Sequence, residues 1–198
     1  MGEGPGERAA NGLTLAQTGW WISCWNADNV TVAPGDDVLL AVGRRDQMCR
    51  EFLGYVDPRK IADLKQATLV GTRPDPAQLP YRLDTGKQAR FEFPLSGSSP
   101  QRPARLRIHA ADQSKAVRAA LNVTVNGKTF EQSLPAGLGI QDADPAHLAF
   151  PATVEFEIPV GVLQPGKNVL EVHVNGAGWF TWDALECIAG RIEQRSGE

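Results

Sequence analysis

Five tryptophans are the side chains of this sequence best equipped to hold a ligand. Trp20, Trp21 and Trp25 cluster near its start, and Trp179 and Trp182 near its end. An indole offers a flat apolar face that stacks on the C–H face of a sugar ring, with a polar N–H at its rim. Such a platform becomes a binding site when a few polar groups converge on it. The competing role is structural, with the rings plugging the core of the fold or sealing its ends. In a strand, the adjacent Trp20 and Trp21 must take opposite faces, and so must Trp179 and Trp182, three residues apart.

The polar candidates fall in three places. The segment Gln141-Asp142-Ala143-Asp144-Pro145-Ala146-His147 reads as a loop, and Gln141, Asp144 and His147 are its hydrogen-bonding side chains. Polar loops on a rigid scaffold are where binding residues concentrate. Arg44-Arg45-Asp46 follows a strand, and Arg45 can clamp a carboxylate such as a uronate with two parallel hydrogen bonds, or simply face solvent. Asp183 and Glu186 sit in the last strand, where a carboxylate either binds a cation or accepts backbone N–H groups at a turn. His109 and His173 lie on the polar sides of alternating strands and read as solvated or packing residues. There is no nucleophile elbow, phosphate-cradling glycine loop, dinucleotide fingerprint or HExxH, so no catalytic residue is identified. Asn29-Val30-Thr31 and Asn122-Val123-Thr124 match the glycosylation pattern, but both read as ordinary turn or strand sequence.

The elements that must position these residues are strands. Runs rich in Val, Ile, Leu, Phe and Trp recur at 20–25, 38–42, 52–56, 68–72, 89–93, 104–110, 119–125, 128–134, 153–158, 168–174 and 179–188. Clusters of Gly, Pro, Asn and Asp separate them, as in an all-β sandwich or barrel. Leu106, Ile108 and Ala110 alternate with Arg105, Arg107 and His109, which predicts one buried and one wet face, as in antiparallel sheet. Asn126-Gly127 between two such runs predicts a two-residue hairpin turn. Pro34-Gly35 and Pro165-Gly166 each feed a strand, and Asn175-Gly176 follows one. One short helix is expected over 57–66, with Asp57 as cap and Pro58 in the first helical position. The Pro-rich stretch 72–80 is the natural place for a subdivision of an otherwise single sandwich over 13–190, between tails at 1–12 and 191–198.

Composition bounds the function. With 198 residues the chain can bury a core without a staple. A net charge of -3 provides no basic field for a nucleic acid backbone. No apolar run approaches the length of a membrane-spanning helix, so no membrane partner is expected. Cys24, Cys49 and Cys187 form no CxxC pair, and three buried thiols are expected over one disulfide. Met1–Asn11 has no apolar signal-peptide core. That fits a cytoplasmic protein, or a mature or excised fragment of a secreted bacterial one.

From about Tyr81 to Ile188 the order of pieces is distinctive. Arg105-Leu106-Arg107-Ile108 comes first, then Val123-Thr124-Val125-Asn126-Gly127. Phe156-Glu157-Ile158-Pro159 and the 163–168 turn follow, and Gly178-Trp179-Phe180-Thr181-Trp182-Asp183-Ala184-Leu185-Glu186 closes the series. This resembles the galactose-binding-like jelly-roll modules of carbohydrate-active enzymes, and is most similar to the C-terminal sandwich of rhamnogalacturonan lyases of polysaccharide lyase family four. There a strand ending Asp-x-Leu-x-Leu/Ile closes the sandwich; Asp183 and Leu185 match, and Cys187 departs at the third position. The resemblance implies an antiparallel jelly-roll β-sandwich with a sugar-binding or accessory role beside a catalytic domain or partner subunit. It also implies a structural calcium near the meeting of first and last strands, held by Asp183 and Glu186 with help from Asp28, Asp36 or Asp37, although no cofactor is required to fold. Three functions stay open: a noncatalytic module binding a polysaccharide or oligosaccharide on its tryptophans, a protein-interaction domain of a larger glycan-active enzyme, and a small jelly-roll glycoside hydrolase or polysaccharide lyase.

Overall fold

A computed structural model describes residues 36–139 and 151–190. Ten strands form in them: β1 (Asp36–Gly43), β2 (Gln66–Val70), β3 (Arg82–Asp84), β4 (Gln88–Leu95), β5 (Ala104–Gln113), β6 (Ala120–Val125), β7 (Lys128–Ser133), β8 (Ala152–Ile158), β9 (Gly166–Asn175) and β10 (Trp179–Gly190). They make two five-stranded sheets. The first runs β1-β10-β5-β8, with β3 pairing the start of β10; the second runs β2-β4-β9-β6-β7. Every pairing is antiparallel except β2 with β4, which is parallel. The all-β sandwich read from the sequence is therefore the fold, with one parallel exception.

The period-two pattern explains the core. In β8, Val154, Phe156 and Ile158 are buried while Thr153, Glu155 and Glu157 are exposed. Leu121, Val123 and Val125 of β6 meet Leu170, Val172 and Val174 of β9 on the inner face of the second sheet, opposite Leu106 and Ile108 of the first. Asn126 and Gly127 take φ of 47° and 85°, the left-handed pair a two-residue hairpin demands, and join β6 to β7.

Three expectations fail. The helix over 57–66 is a single 3₁₀ turn, Pro58–Ile61. Asp57 does cap it, accepting from Arg59 N, but only Ile61 is buried, too small an apolar face to hold a longer helix. The run 52–56 forms no strand; Leu53 makes one isolated bridge to Pro80. Stretch 72–80 does not separate two halves. Thr72 O accepts from Ala41 N, Leu79 is in the core, and β2 and β4 on either side of the stretch pair with each other.

Candidate functional site

Of the sequence-predicted residues, Arg45, Trp179, Trp182, Asp183 and Glu186 are described. Trp20, Trp21, Trp25, Gln141, Asp144 and His147 lie outside the described residues. Trp182 is a correction: it is 0% exposed and presents no face to a ligand. Its ring packs edge-on against Phe180 at 4.6 Å and against Phe91 of the facing sheet at 6.3 Å. The reason is an irregularity in β10, whose register with β5 shifts on both sides of Trp182. Strict alternation would place Trp182 opposite Leu185, yet both point into the core. Trp179 is half-buried, and the Arg82 guanidinium lies 4.6 Å from its ring centroid. Arg82 in turn is paired with Asp84.

The shift in β10 puts Asp183 beside the end of β1. Its Oδ1 accepts from Asp46 N at 3.0 Å and Gln47 N at 2.8 Å, so it fastens the loop that carries Arg45. Arg45 is half-buried there and engaged by neighbouring groups. Burial, then the charge of nearby Asp46, push the Asp183 carboxyl up from 3.8 to about 7. Burial also raises Asp46, and burial with the Asp46 charge raises Glu51. Gly43 is required at this corner, because with φ of 76° its missing Cβ would lie 2.6 Å from Asp183 O and 2.7 Å from a Phe52 ring carbon.

Glu186 is bound differently. Its Oε1 is 3.2 Å from Arg107 Nη1 and 3.5 Å from His109 Nε2, while Arg107 Nε reaches Glu155 Oε2 at 2.6 Å. Burial alone would raise this carboxyl, but the bonds to His109 and Arg107 hold it below its ordinary 4.5. His109 is thus buried beside Glu186 and Thr153, the packing role of the two that its alternation left open. Asp36 and Asp37 sit at the far end of β1, opposite Gly190 and Ala189. Among the described residues no three His, Cys, Asp or Glu gather in a way that could hold a metal ion, and Asp28, named with Asp36 and Asp37 for the implied calcium, lies outside them. Cys49 and Cys187 are buried, and burial pushes the Cys187 thiol up to about 12; Cys24 lies outside the described residues.

An open surface with polar side chains lies on the outer face of the second sheet. A groove of about 440 Å³ runs over β6 and β9, lined by Thr85, Asn122, Thr124, Thr129, His173 and Asn175. Asn122 stands opposite His173 in the register, and the Thr124 and Thr129 hydroxyls meet across the β6–β7 hairpin at 3.0 Å. The turn at Thr85 forms one wall and is tied down by two bonds to Gly178 O, from its N–H and its hydroxyl. Asn122 Oδ1 is buried with no hydrogen-bond partner among the described residues. No carboxylate among them lines the groove. The charges beside it are paired among themselves: Arg90 with Glu171 at 2.5 Å and Glu92 at 3.1 Å, and Lys167 with Glu92 at 2.6 Å. Sequence reading set Asn122 and His173 aside. Their alternation with Leu121, Val123, Val172 and Val174 marks both as outward-facing, but only the β6–β9 register makes them neighbours.

No family model matches the chain, and no curated protein matches it. Among solved structures it is similar to a β-porphyranase of glycoside hydrolase family 86 from the gut bacterium Bacteroides plebeius. That similarity has 18% identity and a TM-score of 0.40, over 55% of this chain and 18% of that one. A family 35 carbohydrate-binding module from an environmental isolate aligns at 18% identity and a TM-score of 0.38, over 54% of this chain and 72% of the module. A family 35 module from Cellvibrio japonicus aligns at 14% and 0.36, over 56% and 73%. Likeness at this level carries no inference about ligand or activity; the strand pairing of the chain itself defines it as a two-sheet β-sandwich.

Proposed function

We propose that the chain is a noncatalytic carbohydrate-binding module accompanying a polysaccharide-degrading enzyme. The observation that carries this reading is the groove over β6 and β9. Its lining of Asn, Thr and His side chains offers neutral donors and acceptors, the groups that read sugar hydroxyls. A lining without carboxylates favours binding over glycosidic cleavage, which needs a carboxylate pair in most enzymes. In this reading hydroxyl recognition, not stacking on Trp182, supplies the specificity.

The test is a binding panel by affinity electrophoresis and calorimetry. It includes mannan, xylan, galactan and rhamnogalacturonan fragments, the last because of the likeness over 81–188. At least one glycan is expected to bind, and Asn122→Ala together with His173→Ala is expected to weaken it at least tenfold with an unchanged melting temperature. Binding that survives both substitutions would move the site elsewhere. No retention of any glycan at millimolar concentration would reject the carbohydrate reading.

A further inference from the structure

Asn-Gly occurs at three places in the chain, and two of them lie among the described residues. Both read Val-Asn-Gly: Val125-Asn126-Gly127 in the β6–β7 hairpin, and Val174-Asn175-Gly176 where β9 ends. The dipeptide carries its own chemistry, because glycine has no Cβ to crowd the approach of its backbone nitrogen to the asparagine side chain. In both copies the space around the glycine is open, with no atom beyond its chain neighbours within 4 Å of where a Cβ would stand. The asparagines differ. Asn126 is held at both ends of its amide: Nδ2 donates to Val162 O at 2.8 Å and Asn168 Oδ1 at 2.7 Å, and Oδ1 accepts from Val169 N at 2.9 Å. Its backbone N–H donates to Val169 O at 2.9 Å. Asn175 is exposed, and its side chain has no hydrogen-bond partner among the described residues. Its backbone pairs with Ala120, and the chain then runs through Gly176, Ala177 and Gly178 outside any strand.

We propose that Asn175 is a site of spontaneous deamidation and that the fold shields Asn126 from the same reaction. The Gly176 nitrogen attacks Asn175 Cγ, and a bond forms between them. The bond from Cγ to the side-chain nitrogen breaks, and that nitrogen leaves as ammonia with the proton that Gly176 gives up. Water then opens the succinimide ring at one of its two carbonyls, which leaves an aspartate or an isoaspartate at position 175. At Asn126 the same attack requires the amide to leave three hydrogen bonds that tie the hairpin to the 162–169 stretch, bonds that exist only in the folded chain. The product matters because of where Asn175 stands. It lines the groove over β6 and β9, on the same outward face as His173, two residues earlier. No carboxylate among the described residues lines that groove, so the reaction brings a negative charge into a neutral lining. On the carbohydrate-binding reading above, on which this consequence alone rests, the new charge turns the groove against acidic glycans.

The test ages the full chain in mildly alkaline buffer and follows both Val-Asn-Gly peptides by mass spectrometry, with aspartate and isoaspartate products separated by chromatography. In the folded chain, position 175 is expected to convert at least tenfold faster than position 126. In urea the two identical tripeptides lose their different surroundings, and their rates are expected to converge. Equal rates in the folded chain, faster conversion at Asn126, or a difference that survives in urea would overturn the proposal. The consequence for the groove is read separately with Asn175→Asp on the glycan panel, where binding of an acidic glycan is expected to fall more than binding of a neutral one. Equal binding by this variant and the wild type would strike the consequence and leave the chemistry standing. A panel on which nothing binds would reject the carbohydrate reading, and the peptide rates would still decide whether Asn175 deamidates.

Discussion

Asp183→Asn gives the sharpest test of the corner where β10 meets β1. Asparagine keeps the Oδ1 acceptor for the Asp46 and Gln47 N–H groups and removes the charge. The Asp183 carboxyl is raised from 3.8 to about 7, first by burial and then by the Asp46 charge, so the folded protein holds this proton more tightly than the unfolded chain. Stability therefore falls as pH rises between those two values, because the native state must give up a proton it binds well. From 3.8 to about 7 is about three powers of ten in proton affinity, or about 4 kcal/mol at 1.36 kcal/mol per power. The asparagine side chain cannot ionise, so the variant escapes that loss. At pH 4 the two proteins are expected to melt together. By pH 8 the variant is expected to be ahead by up to about 4 kcal/mol, roughly 10 °C in a domain of this size. Thermal unfolding followed by circular dichroism from pH 4 to 9 measures the difference, and the Asp183 carboxyl carbon shift in NMR reports the titration itself. A difference that is flat with pH, or a variant less stable than wild type at pH 8, would show that the two N–H bonds outweigh burial and hold the carboxylate ionised. Asp46→Asn is expected to lower the Asp183 midpoint by removing the second cause.

Other outcomes follow from local packing. Gly43→Ala forces a left-handed residue against Asp183 O and Phe52 and is expected to cost about 3 kcal/mol in a denaturant titration. Trp182→Ala removes the ring that bridges the sheets and is expected to cost about 3–5 kcal/mol, with loss of near-ultraviolet dichroism. Asn168→Ala strips a buried side chain that bonds Gln164 N, Gln164 O, Gly166 O and Asn126, and is expected to cost about 3 kcal/mol in the same titration.

The strands were readable because each carries its own period: Val154, Phe156 and Ile158 against Thr153, Glu155 and Glu157 names both the element and its buried face. The hairpin at Asn126-Gly127 was readable for the same local reason, the need for two left-handed residues. What escaped depended on distant partners. β3 is three residues long and exists as a strand because β10 is there to pair with it. The parallel pairing of β2 with β4 leaves no mark in either strand's alternation. Asp57 and Pro58 did start a helical turn, but Ile61 is its only buried residue and the chain enters β2 at Gln66. At the site, Trp182 looked like a ligand platform because composition counts indoles without knowing which face they take, and the register shift in β10 turned this one inward. The groove residues Asn122 and His173 lie far apart in the chain, and no local pattern joins them.

The placement of β10 has a consequence for how the protein is made. It is the last of the described strands, yet it is central to the first sheet, pairing with β1, β3 and β5. While a ribosome has yet to release residues 179–190, β1 and β3 lack their sheet partner, and only β5 with β8 can pair in that layer. The second sheet, by contrast, is complete once β9 has emerged. One half of the sandwich must therefore wait, with its inner face bare, for the final strand to slide between edges that were synthesised long before it. The molecule closes like a zip fastener whose slider is fitted late, and a chain cut before Trp179 would leave β1 and β3 without the strand they pair with.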